Sequence, residues 1–177
     1  MKKKTLALVM ALTLLVAGVV GGTLAWLTDQ TAEVKNTFTV GDINIGLTET
    51  TADYKMVPGN TIAKDPTVTV KANSEACWLF VKVTESTDLK DFITYAIAEG
   101  WTALPGVDGV YYREVPASAA DQIFSVLAGD AVTVKSDVTR TMLETAKTDA
   151  PTLTFQAYAV QKDNVASASD AWAKVNP

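Results

Sequence analysis

Two hydrophobic patterns divide the chain. Behind Lys2, Lys3 and Lys4, residues Leu6 to Val20 form an almost unbroken apolar run. As a helix at about 1.5 Å per residue it would reach only about 22 Å, against a bilayer core of about 30 Å. A basic start followed by about 15 apolar residues is the pattern of an export signal. Gly18 and the Gly21-Gly22 pair loosen the helix ahead of a cleavage point, and small residues at Thr23 and Ala25 suit positions −3 and −1. Cleavage is therefore predicted after Ala25, before Trp26, or one residue later, before Leu27. An uncleaved anchor is the alternative, because Val19 to Leu27 extend the apolar segment to spanning length. This reading divides the chain into a signal helix over 1–25 and a single domain over 26–177.

Beyond the signal the apolar positions recur with period two, the spacing of strands. Phe38, Val40, Ile43, Ile45 and Leu47 alternate on either side of Gly41-Asp42, which predicts a strand with a bulge or kink there. Val57-Pro58-Gly59-Asn60 has Pro and Gly placed for a type II turn. Val68 and Val70 alternate with threonines, and Ala72-Asn73-Ser74 ends that strand. Cys77 to Thr84 begins apolar on both faces, as a central strand would. Ile93, Tyr95 and Ile97 alternate up to Gly100-Trp101. Pro105-Gly106-Val107-Asp108-Gly109 carries two turn dipeptides ahead of Val110 to Val115, which predicts a hairpin.

Ile123 to Leu127 and Val132 to Lys135 flank Ala128-Gly129-Asp130. Leu153, Phe155, Ala157 and Ala159 mark a last strand, with Tyr158 and Val160 on its other face. Helical signals are brief: Ser86-Thr87-Asp88 caps one turn through Phe92, and Asp137 is the expected N-cap of an exposed helix to Lys147. Ser169-Asp170-Ala171-Trp172 starts a terminal helix with Trp172 as its anchor. Seven or eight short strands with short peripheral helices predict an all-β fold, an antiparallel β-sandwich.

Charge and composition narrow the chemistry. The 177 residues carry a formal charge of −5; three of the fifteen basic residues leave with the signal while all twenty acids remain, so the product stands at −8. It lacks the basic footprint needed for nucleic acid or an anionic membrane surface, leaving the uncleaved signal as its membrane contact. Cys77 is the one cysteine, so no internal disulfide exists, and its strand context predicts a small core residue. The chain has no histidine. That excludes a serine triad, a Cys–His pair and the usual zinc hydrolase site. A carboxylate-only site would still be open, but the acids are scattered singly. With no phosphate-binding glycine motif or EF-hand spacing either, no catalytic, cofactor or metal site is predicted. Trp101, Tyr111 and Tyr112 remain candidates for stacking on sugar rings, with core and rim packing as the alternative.

At the junction after the apolar run, Gly21-Gly22-Thr23-Leu24-Ala25-Trp26-Leu27-Thr28-Asp29 resembles the signature of proteins processed by a SipW-type signal peptidase, the TasA/camelysin family. Asn36-Thr37-Phe38-Thr39-Val40-Gly41-Asp42-Ile43-Asn44-Ile45 is similar to that family's Asn-x-Phe-x-x-Gly-x-(Ile/Leu)-x-(Ile/Leu) strand. Val57-Pro58-Gly59-Asn60 matches its Pro-Gly turn. Leu153 to Gln161 and Ala168 to Trp172 resemble its closing strand and tail. These matches cover both ends of the chain, and Asp88 to Lys147 rests mainly on pattern.

The resemblance implies a secreted sandwich of jelly-roll type, processed by that peptidase and assembling into extracellular matrix or biofilm fibres. It implies that residues 26–40 become a strand donated to the next copy, with Asn36, Phe38, Val40 and Gly41 in the assembly strand. A monomeric surface adhesin or ligand-binding module is the competing expectation. The protease activity described for camelysin fits poorly, because a metal would here have to be held without histidine.

Overall fold

The nine-residue strand at Cys77–Glu85 organises the fold, because both of its faces are apolar and both are covered. The structure, a computed structural model, describes residues 42–50 and 55–175. Within them the order is β1 (Ile45–Thr48), β2 (Thr61–Ala63), β3 (Thr67–Val70), β4 (Cys77–Glu85), α1 (Leu89–Phe92), β5 (Ile93–Thr94), β6 (Thr102–Ala103), β7 (Val110–Val115), β8 (Gln122–Ser125), β9 (Ala131–Val134), α2 (Arg140–Ala146), β10 (Leu153–Gln161) and α3 (Ala168–Val175). The strands form three antiparallel sheets with orders β1-β3-β8, β10-β4-β7-β6 and β2-β9-β5. The fold is all-β, with helices confined to short pieces.

Alternation along β4 sends its side chains to two different cores. Cys77, Leu79 and Val81 meet Val68 and Val70 of β3, together with Phe155, Ala157 and Ala159 of β10. Trp78 and Phe80 point the other way, where α3 lays Ala168, Ala171 and Trp172 over them. Fully burying a side chain of this size stabilises by about 1.5–3 kcal/mol. The two-faced apolar run is therefore the mark of a strand lying between a sheet and a helix. A third core lies on the β2-β9-β5 sheet, where Leu89 and Phe92 of α1, Val138 and Ala146 cover Ile93, Val132 and Val134.

The predicted turns form as their residues require. Asn60 N–H donates to the Val57 carbonyl at 3.0 Å, and Gly59 takes φ +81°. The 105–109 loop closes the β6–β7 hairpin, with Thr102 opposite Tyr112. Other expectations are corrected. Ten strands are present among the described residues rather than seven or eight, because β2 and β6, with three and two residues, are too short to show in the sequence pattern. Ile93 to Ile97 is not one strand: pairing ends at Thr94, and Ile97 meets Leu127 in an isolated bridge. The N-cap of α2 is Thr139, whose hydroxyl accepts from Met142 N–H at 3.3 Å. Val138, buried between Asp137 and the helix, carries the chain across the third core before the helix starts.

Cys77 is fully buried, and burial pushes its thiol from an ordinary 9.0 up to about 11. Because the folded value is the higher one, the thiol's contribution to stability is intact below about pH 9. It is lost as pH rises from there towards 11, by at most about 1.4 kcal/mol per unit. Urea titrations at pH 8 and pH 10 should show a fall in stability that is smaller in Cys77→Ala. Iodoacetamide at pH 8 should label Cys77 only after unfolding; rapid labelling of the native protein would contradict the burial.

Candidate functional site

One cleft lies where outer strands of the three sheets come together. β10 is an edge of its sheet, as are β1 and β2 of theirs. β4 takes up one side of β10 over all nine residues, from Leu153 opposite Glu85 to Gln161 opposite Cys77. No described strand pairs with its other side. In an antiparallel strand every second residue presents both its N–H and its C=O to such a free edge, which makes a template for another strand. Beside this edge opens a cleft of about 680 Å³, with apolar walls that include Leu47, Met56, Ile62, Val132, Leu153 and Phe155.

One charged pair sits in that apolar setting. Lys64 Nζ lies 2.7 Å from Glu49 Oε1, with the lysine side chain only 8 % exposed and the glutamate 25 %. The same ammonium lies 5.4 Å from the Phe155 ring centroid. Pairing and the ring face offset the desolvation that a buried ammonium suffers. Fifteen residues separate Lys64 from Glu49, and the β1–β3 pairing brings them together by aligning Thr48 with Thr67. Beside them Asp65 accepts from both the N–H and the hydroxyl of Thr50. The Thr50 hydroxyl bond, then its backbone bond, holds the Asp65 carboxyl below the usual carboxylate value. The Lys64–Glu49 and Asp65–Thr50 contacts thus fasten the end of β1 to the segment between β2 and β3.

The residues predicted for signal cleavage (Thr23, Ala25, Trp26, Leu27) and for the assembly strand (Asn36, Phe38, Val40, Gly41) lie outside the described residues. The described chain resumes at Asp42, three residues before β1.

The three aromatics singled out for sugar stacking do not share a surface. Trp101 is buried in the first core, with its indole N–H donating to the Ser125 carbonyl at 2.9 Å. The Arg113 guanidinium lies 5.3 Å from its ring and 3.9 Å from that of Phe124. Tyr112 lies edge-on to Trp78 at 5.9 Å, towards the α3 side of the sheet. Tyr111, next in sequence, faces the opposite way and lines a second cleft with Tyr95. Alternation along β7 separates the two tyrosines.

Lys64, Glu49 and Tyr95 have no signal in the sequence beyond their residue types, since each acquires its role only through strand pairing. Among the described residues no group of three or more Cys, Asp or Glu is placed to hold a metal ion. No helix there is long and apolar enough to cross a membrane. No protein-family profile, curated protein or solved structure matches this chain.

Proposed function

We propose that this chain is the subunit of a secreted extracellular fibre. A SipW-type signal peptidase removes residues 1–25, and residues 26–40 then leave one copy as an extended strand and dock on the next. The domain completed in this way is a β-sandwich of jelly-roll type. The observation that carries the reading is the edge of β10 that no described strand pairs with, beside an apolar cleft bounded by β1 and β2. A strand added there gains main-chain hydrogen bonds along the edge, and its alternate side chains enter the cleft.

The proposed donor has a suitable pattern. In extended form Val34, Asn36, Phe38 and Val40 share one face, while Glu33, Lys35, Thr37 and Thr39 share the other. The first set places three apolar groups, Val34, Phe38 and Val40, in the cleft, and the second stays in water. Cleavage would control assembly, because the donor is tethered at the membrane until the signal is cut. The resemblance of the junction to the TasA/camelysin family agrees with this order of events.

The test compares residues 26–177 with residues 41–177 by negative-stain electron microscopy. Filaments are expected from the longer chain and single particles from the shorter. A synthetic peptide of residues 26–40 should bind the shorter chain and should stop the longer one from assembling. Single particles from both chains, with no peptide binding, would leave the monomeric surface protein as the better reading.

A further inference from the structure

A second cleft, of about 410 Å³, shares Leu89 and Ile93 with the first and carries a different chemistry. Its floor is apolar, made by Leu89, Ile93 and Ile97, and its walls include the half-buried rings of Tyr95 and Tyr111. Glu85, Lys90, Thr94 and Lys135 supply its polar groups. We propose that this cleft binds an acidic saccharide, a chain containing uronic acid residues, with a sugar ring against the tyrosines and its carboxylate at the two lysines.

The chain builds the site from α1, β5, β7 and the end of β9, with Glu85 from the end of β4. β5 stops pairing after Thr94, opposite Thr133 of β9, and so releases Tyr95 at the sheet's end. Tyr111 stands opposite Val81 in the β4–β7 pair, which fixes its place across from Tyr95. Lys135 follows β9 directly, and its N–H donates to the Phe92 carbonyl at 2.9 Å, holding that corner against α1. Lys90 projects from α1 into solvent at the same rim.

Each part of the ligand then has a counterpart. A pyranose ring offers a face of C–H bonds that packs on a tyrosine ring, while its hydroxyls need polar partners at the rim. Tyr95 donates its hydroxyl to Glu85 Oε1 at 2.6 Å. Burial first, and that bond second, push the phenol well above its ordinary value, so it stays a donor. The remaining Glu85 oxygen and the Thr94 hydroxyl are left for sugar hydroxyls.

The charge in the cleft opposes that of the chain. Two lysines and one carboxylate, the latter already engaged by Tyr95, line the cleft of a protein whose formal charge is −5. Neither Lys90 nor Lys135 forms an ion pair among the described residues, whereas Lys64, Lys71, Lys147 and Lys162 each do. A ligand carboxylate meets these lysines by charge-assisted hydrogen bonds. A neutral sugar would leave them unused, and an acidic polymer would be repelled by most of the remaining surface.

Isothermal titration of the full chain with a galacturonic acid oligomer tests the assignment, with a neutral galactose oligomer of equal length as the control. Saturable binding is expected for the acidic oligomer, at least tenfold tighter than for the neutral one and weakening with salt. The double variant Lys90→Gln/Lys135→Gln should lose at least tenfold in affinity and keep the wild-type unfolding temperature, since Lys90 is exposed and Lys135 half-buried. The assignment fails if the acidic oligomer gives no saturable heat at millimolar concentration. Equal binding of the neutral oligomer, or unchanged affinity in the folded double variant, overturns it too. None of these outcomes depends on filament formation.

Discussion

Phe80→Ala lowers the free energy of unfolding by about 4 kcal/mol, the expectation for a large aromatic removed from a site that cannot collapse. Phe80 is fully buried. Its ring centroid lies 5.3 Å from that of Trp172 on α3 and 6.4 Å from that of Tyr112 on β7. Trp172 in turn meets Tyr158 of β10 edge-on at 5.2 Å, so the ring to be removed sits between a helix and three strands of one sheet. Those neighbours are held by separate elements and cannot close the gap together. With domain stabilities of about 5–15 kcal/mol, the loss takes a large share of the total.

Urea titration should show the midpoint fall with the slope unchanged. Trp172 gives a contrast on the same surface. Its indole N–H is buried and has no acceptor among the described residues, a defect of about 1–3 kcal/mol. Trp172→Phe removes that donor along with some ring volume, so the two effects oppose each other and stability stays within about 1 kcal/mol of the wild type. Trp172→Ala keeps no ring and should approach the Phe80→Ala loss. A Phe80→Ala effect under 1 kcal/mol would mean that α3 does not cover this face.

The parts of the fold that can be read from the chain are those where one local rule suffices. β4 declares its central place through apolar residues on both faces, and β10 separates Phe155, Ala157 and Ala159 from Tyr158 and Val160 by alternation alone. Val57 to Asn60 and the 105–109 loop depend on glycine at positive φ, which sequence marks directly. Elements of two or three residues carry too few positions for a period to show, which hides β2 and β6 and leaves the end of β5 misplaced. Asp137 and Thr139 are both acceptable caps, and only the burial of Val138 decides between them.

The sites are less legible than the fold because each joins residues that are distant in sequence. Glu49 reaches Lys64 only when β1 lies on β3. Tyr95 reaches Glu85 and Tyr111 only when two different sheets stand side by side. Tyr111 and Tyr112 look like one aromatic patch in the sequence, and the pleat of β7 places them on opposite sides. Nothing short of the pairing register reveals which of the two lines a cleft.

That register depends on a close backbone contact at the β6–β7 hairpin, and Gly109→Ala is expected to disrupt it. Gly109 has φ +71°, and a Cβ placed there would lie 2.5 Å from the Val83 carbonyl oxygen of β4. The same glycine's carbonyl accepts from Val83 N–H at 2.7 Å, so neither backbone can retreat without breaking that bond. An alanine in the left-handed region costs about 1–2 kcal/mol. Forcing atoms into occupied space adds about 1–3 kcal/mol more, and the expected total is about 3 kcal/mol.

Gly106, three residues earlier, separates the two contributions. Its φ is +76°, yet a Cβ there meets nothing within 4 Å. Gly106→Ala should therefore show the backbone preference alone, at about 1–2 kcal/mol. The difference between the two variants in urea titration measures the clash with Val83. Gly109→Ala should also loosen the pairing of Val110 with Lys82, which begins the β7 register, and a shift by one residue would exchange the faces of Tyr111 and Tyr112. Equal losses from Gly106→Ala and Gly109→Ala would show that the hairpin is positioned by its turn and not by its contact with β4.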